Sequence, residues 1–147
     1  MKDNLSVEQL PRISNHDLKL FWATFEKSGD FDQNSFLQLF NDTNDETVMK
    51  ILARFHETLT TSESQIELAI EPNDVETVWK ACHKVSGSAE MLGFRGYGNV
   101  ARELSKQLRA NPELASHSSD IDEFLQLTHD LRRKITLSCP NLSSFLS

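Results

Sequence analysis

The segment that decides the fold runs from residue 75 to residue 93 and reads VETVWKACHKVSGSAEMLG. Apolar side chains recur in it at steps of three and four, the spacing of one face of an α-helix. These positions are Val75, Val78, Cys82, Val85, Ala89 and Leu92. Asn73 is the predicted cap, with Glu76 as its reciprocal partner, and Gly93 is the predicted stop. The segment is therefore predicted to be an amphipathic helix with one buried face.

Three other long stretches have the same apolar period, within residues 48–70, 100–108 and 121–135. Two shorter apolar clusters precede them, at residues 18–25 and 36–40. No segment alternates in the manner of a β-strand. Four amphipathic helices joined by short loops pack best as an antiparallel bundle. We therefore predict an all-α fold, an antiparallel four-helix bundle with one or two short additional N-terminal helices.

The chain of 147 residues has the size of one globular domain. We expect residues 31–138 to form the bundle, residues 1–30 a helical extension, and residues 139–147 a C-terminal tail. Two interpretations of the extension remain open. It either packs against the bundle or forms an element that is specific to one partner.

Composition disfavours several classes of protein. Fifteen Lys and Arg against 22 Asp and Glu give a net charge of −7, which disfavours nucleic-acid binding. No apolar run approaches the roughly 18 residues of a membrane span, and the N-terminus lacks the apolar stretch of a secretory signal. Cys82 and Cys139 form neither a disulfide framework nor a metal-ligand spacing. We expect a cytoplasmic protein with no metal, no cofactor and no membrane contact.

His83 is predicted to point away from the buried face of its helix. At about 100° per residue, the apolar seam centres about 140° from His83, whereas Gly87 and Lys80 lie within about 60° of it. Lys84 lies about 100° away on the same wheel. The face around His83 also carries Glu76, Trp79, Ser86 and Glu90. The pattern therefore predicts an exposed imidazole beside a position without a side chain.

Residues 86–88 are Ser, Gly and Ser, which are poor helix formers inside a helix. A glycine there costs about 1 kcal/mol relative to alanine, and such costs concentrate at functional sites. The same residues also occur where two helices pack closely, so both interpretations stay open. Lys80 and Lys84 supply cations near the imidazole, and Arg95 and Arg102 would add to them if the next helix packs alongside.

An exposed imidazole flanked by cations suits phosphoryl transfer. Neutral imidazole is a nucleophile at neutral pH, and phosphoryl transfer depends mostly on positioning and charge stabilisation. An open site with a single histidine suits a reaction whose second half is brought by another protein. No second acid, base or metal ligand is spaced with His83, which disfavours a hydrolase or a metalloenzyme.

The segment resembles the active-site helix of the histidine-containing phosphotransfer (HPt) domains of multistep two-component phosphorelays. The family pattern is His-x-apolar-Lys-Gly-Ser-Ser/Ala, followed by a later glycine. The residues that match it in place are His83, Val85, Gly87, Ser88, Ala89 and Gly93. The resemblance extends from about Phe31 to Ile135.

The resemblance implies that His83 accepts a phosphoryl group from a phospho-aspartate on a receiver domain and passes it to a second receiver. The protein would be a phosphoryl carrier without an ATP site or autokinase activity, and the receiver would hold the magnesium ion. The implied partners are response-regulator receiver domains and a hybrid histidine kinase. We expect a monomer, because one chain supplies all four helices.

One position departs from the family pattern, because Ser86 stands where the family has lysine. Lys84 or Lys80 could hold the phosphate instead, or the Ser86 hydroxyl could donate a hydrogen bond to it. The departure also leaves open a helical adaptor that binds receiver or kinase domains without carrying phosphate.

The surface that a receiver would approach is predicted around the glycine of the motif. Its residues are Gly87, Ser88, Glu90, Met91 and Phe94. Met91 and Phe94 could instead belong to the core.

Overall fold

Six α-helices make up the part of the chain that the computed structural model describes, residues 13–146. They are α1 His16–Phe25, α2 Gln33–Asp42, α3 Asp45–Ile70, α4 Val75–Leu92, α5 Arg95–Ala110 and α6 Ser118–Ser138. Short 3₁₀ turns, Leu114–His117 and Leu142–Phe145, precede and follow α6. Residues 1–12 and 147 lie outside the described part.

Helices α3 to α6 form the four-helix bundle. Helix α3 packs against α4 and α6, and α5 packs against the same two helices. The contacts of α3 with α6 show antiparallel directions, because His56 Nε2 lies 2.9 Å from Thr136 Oγ1 and Arg132 lies 2.7 Å from Glu63. Helices α1 and α2 are the two shorter N-terminal additions. The predicted all-α bundle is confirmed.

An aromatic cluster fills one end of the bundle. Its rings are Phe21, Trp22, Phe25, Phe31, Phe36, Phe55 and Phe94. Two backbone hydrogen bonds join the α1–α2 connection to the α4–α5 turn, from Asp32 N to Gly93 O at 2.6 Å and from Gly96 N to Asp30 O at 3.1 Å. This end therefore fixes where α4 stops and where α5 begins.

Helix α1 is joined to the C-terminal part of the chain through a buried carboxylate. Asp17 accepts hydrogen bonds from the backbone N of Asn141 at 2.7 Å and from its side chain at 3.4 Å. Ile13 and Leu142 are buried in the same core. Both ends of the described chain therefore pack on the bundle. The domain boundaries at residues 30 and 138 stay a prediction, and residues 1–12 of the extension lie outside the described part.

The two ends of α4 differ in how well the sequence predicted them. Gly93 caps the C-terminus in the left-handed conformation with a φ of 100°, as predicted. The N-cap is Asp74 rather than Asn73, because the Asp74 carboxylate accepts from both the backbone N and the hydroxyl of Thr77. Asn73 has a φ of 55° and accepts a hydrogen bond from Leu114 N at 3.2 Å. The predicted Asn73 cap was therefore wrong, because a contact with a distant turn uses that side chain.

Candidate functional site

His83 lies on the exposed face of α4. The predicted seam is buried behind it, at Val78, Cys82, Val85, Ala89 and Leu92. The direction predicted from the helical wheel is confirmed, because the packing of that seam turns the imidazole towards solvent. Cys82, next in the chain, points inward, and burial raises the pKa of its thiol to about 12. The imidazole is therefore the accessible nucleophile at this level of the helix.

Gly87 leaves an opening one turn after His83. A Cβ placed there would have no neighbouring atom within 4 Å, apart from those of its own helical turn. Ser88 beside it is half-buried. Because no helix within residues 13–146 packs over Gly87, this glycine is not explained by close contact with another described helix, and that part of the chain leaves its backbone open to an approaching surface.

The two lysines differ in their surroundings. Lys80 pairs with Glu76 at 2.8 Å, one turn away, and both side chains are more than half exposed. Lys84 is exposed and forms no ion pair within residues 13–146. An exposed pair contributes little free energy, so Lys80 can leave Glu76 for another anion at small cost. Within the described residues, neither ammonium group is therefore firmly held by a carboxylate.

Ser86 faces α5 rather than the open surface. Its side chain is 5 % exposed, and its hydroxyl donates to the His83 carbonyl at 2.8 Å. The prediction that this hydroxyl binds a phosphate was wrong, because the wheel placed Ser86 near the edge of the face and α5 covers that edge.

The residues predicted to meet a receiver divide into two groups. Glu90 and Met91 are exposed, with Met91 44 % exposed. Phe94 is 4 % exposed and lies in the aromatic cluster, 5.5 Å from the Phe55 ring and stacked on it. Phe94 therefore belongs to the core, and its prediction as a contact residue was wrong.

Helix α5 brings further cations to the flank of α4. Arg102 forms an ion pair with Glu90 on the neighbouring helix. Its expected contribution to the cations near His83 stays a prediction. Arg95 instead turns towards Asp32, 3.8 Å away. The Arg109 guanidinium lies 4.9 Å from the centre of the Trp79 ring, a cation–π geometry. This contact of Arg109 was not predicted from the sequence, because no spacing within one helix reveals a contact between two helices.

A comparison with protein families decides the identity. The model of the Hpt domain matches residues 50–134, more than half of the chain. The chain belongs to the Hpt domain family. Searches of curated proteins and of solved structures gave no significant match. An Hpt domain has a phosphotransfer role in phosphorelays, and the matched residues include all of α4 and α5 and most of α3 and α6.

The described part of this Hpt domain contains neither a cluster of metal ligands nor a membrane-spanning helix. Across residues 13–146, no three His, Cys, Asp or Glu side chains are grouped so that they could hold a metal ion. No helix within the same residues is long and apolar enough to cross a membrane.

Proposed function

We propose that His83 accepts a phosphoryl group from the phospho-aspartate of a receiver domain and passes it to another receiver. The observation that carries the proposal is the exposed imidazole on α4, one turn from a glycine that no described residue covers. Lys84 and Lys80 are the predicted cations for the phosphate. Gly87, Ser88, Glu90 and Met91 are the predicted contact residues for the receiver.

The transfer is a displacement at phosphorus. The unprotonated ring nitrogen of His83 attacks, a P–N bond forms, and the P–O bond to the aspartate breaks with its electron pair going to the carboxylate. The proton on the other ring nitrogen is lost afterwards to solvent. In the reverse displacement, an aspartate oxygen of the second receiver attacks phosphorus and the P–N bond breaks with its electron pair going to the ring nitrogen. The ring takes back one proton from solvent, which restores neutral imidazole. Because such reactions depend on in-line positioning, a convex site needs the receiver to supply the other half of the machinery.

The proposed partners are receiver domains and a hybrid histidine kinase. We further propose that the protein is monomeric and acts in the cytoplasm. Residues 31–138 would be the functional bundle. The buried contacts of α1 support a packing role for the described part of residues 1–30, since five of its ten residues are buried.

The test is transfer of label from a phosphorylated receiver to the purified full chain. His83→Gln should abolish acid-labile labelling, because glutamine cannot form the P–N bond. His129→Gln is the matched control, since His129 is also exposed but lies on α6, and it should label like the wild-type chain. Labelling that persists in His83→Gln would contradict the site. Receiver binding without any labelling of the wild-type chain would favour the helical adaptor.

A further inference from the structure

Two contacts set the register of α5 against α4. A Cβ at Gly98 would lie 3.4 Å from the carbonyl oxygen of Ser86, so the helices approach closely there. Seven residues later, the Ser105 hydroxyl donates to the Trp79 carbonyl at 3.2 Å. The helices therefore run antiparallel, with residue 98 beside residue 86 and residue 105 beside residue 79.

This register places Arg102 at the height of His83, because each lies about midway between the two contacts on its own helix. The Arg102 side chain is held towards the C-terminal end of α4, where it pairs with Glu90 and donates from Nη1 to Asn99 Oδ1 at 3.0 Å. Glu90 lies two turns after His83 on nearly the same side of α4. The guanidinium therefore lies along the edge of the exposed face that carries His83.

The segment of helices α4 and α5 has a net charge opposite in sign to that of the whole chain. Residues 75–110 carry six Lys and Arg and three Glu, a net charge of +3, whereas the whole chain carries −7. The six cations are Lys80, Lys84, Arg95, Arg102, Lys106 and Arg109. Helices α4 and α5 together are therefore suited to an anion that the rest of the protein would repel.

We infer that Arg102 leaves Glu90 and binds the phosphoryl group when His83 is phosphorylated. This inference rests on the function proposed above. A phosphoryl group carries more negative charge than a carboxylate and accepts the paired donors of a guanidinium, so it competes for Arg102. The loss to Glu90 is small, because the two side chains are 37 % and 44 % exposed and water replaces the contact. Arg102 thus supplies a cation in place of the family's lysine, whose position is occupied by Ser86 in this chain.

The experiment measures how a labelled phosphoryl group distributes at equilibrium between a receiver domain and the full chain. Arg102→Gln should lower the equilibrium constant for transfer to His83 by about fivefold, the upper range for an exposed charge pair. Glu90→Gln should raise the constant, because Arg102 no longer has to leave a carboxylate. The double variant should behave like Arg102→Gln alone, since a receiver contact changes the rate but not this equilibrium, which Glu90 influences through Arg102. Arg133→Gln, an exposed arginine on α6, is the matched control and should leave the constant unchanged.

Phosphorus NMR separates direct contact from a structural effect. A neighbouring guanidinium favours the fully ionised form of the phosphoryl group. The pH at which the phosphoryl group titrates should therefore rise in Arg102→Gln, and it should rise less in Arg102→Lys. An unchanged equilibrium constant and titration in Arg102→Gln, with His83 still labelled, would overturn this inference and leave the proposed function standing. Failure of the wild-type chain to take label at His83 would overturn both.

Discussion

Helix α4 is built differently in its middle and at its C-terminal end, although each part contains a glycine next to a residue of the motif. Gly87 in the middle has open space around it among residues 13–146, and His83, one turn earlier, is exposed. Gly93 at the end is pressed against Phe31 and the carbonyl of Asp32. Packing rather than residue type therefore distinguishes the two glycines, since Gly93 is held by its neighbours and Gly87 has none within 4 Å in the described part of the chain.

The largest expected effect compares Phe94 with Met91, two apolar residues of the predicted receiver surface. Phe94→Ala should lower the free energy of unfolding by about 3–5 kcal/mol, because it empties a space between the rings of the aromatic cluster. Met91→Ala should cost about 1 kcal/mol at most, because that side chain is 44 % exposed. Urea unfolding of both variants measures the difference. Equal losses of stability would mean that Phe94 is not part of the core.

The two glycines provide the next comparison. Gly93→Ala should cost about 2 kcal/mol, because a side chain at a φ of 100° is strained and its Cβ would lie 2.8 Å from the Asp32 carbonyl. Gly87→Ala should stabilise the protein by about 0.5–1 kcal/mol, since alanine favours the helix and meets no neighbour. Thermal and urea unfolding check both signs. A destabilised Gly87→Ala would show that this position is not open.

A bulky side chain at Gly87 tests its function separately from folding. Gly87→Leu should unfold at or above the wild-type midpoint, because leucine also favours the helix. It should slow transfer from a receiver by about tenfold or more, because misplacing the reacting groups by even 1 Å is costly. Stopped-flow transfer assays give the rate. A normal rate in this variant would mean that the receiver does not approach over residue 87.

The histidines extend the comparison to pH. His56 is half-buried between α3 and α6, and burial, with the Arg132 charge second, lowers its pKa below the ordinary 6.5. The folded state therefore binds this proton less readily than the unfolded state. The stability that depends on neutral His56 is therefore fully present above pH 6.5, and it is lost as the pH falls through the folded pKa of His56.

Urea midpoints at neutral and mildly acidic pH test this assignment. His56→Gln removes the titrating ring and should lose less stability on acidification than the wild-type chain does. The same acid loss in both proteins would assign the effect to other groups.

The smallest expected effect separates the two lysines of α4. Lys84→Gln should reduce phosphoryl transfer by about two- to threefold, in the range of one exposed charge interaction. Lys80→Gln should reduce phosphoryl transfer less, because Glu76 competes with the phosphate for the Lys80 ammonium group. Transfer rates at low and high salt measure both, and the difference should shrink as salt screens the charges. A larger loss in Lys80→Gln would reverse this ranking.

The sequence by itself determined the helices, the buried seam of α4 and the outward direction of His83. These features depend on the period of 3.6 residues within one helix, which is written directly in the order of apolar residues. The Gly93 stop is local in the same sense, since only the chain around it has to turn.

Only the tertiary structure decided what happens between helices. It covers Ser86 with α5, draws Phe94 into the aromatic cluster and brings Arg102 to the height of His83. Each of these depends on the register and spacing of two helices far apart in the chain, which loop lengths and the packing of many side chains set together. No period within a single helix carries that information. The sequence therefore named the cations of α4 and α5, whereas only the assembled bundle showed that Arg102 pairs with Glu90 and Arg95 turns towards Asp32.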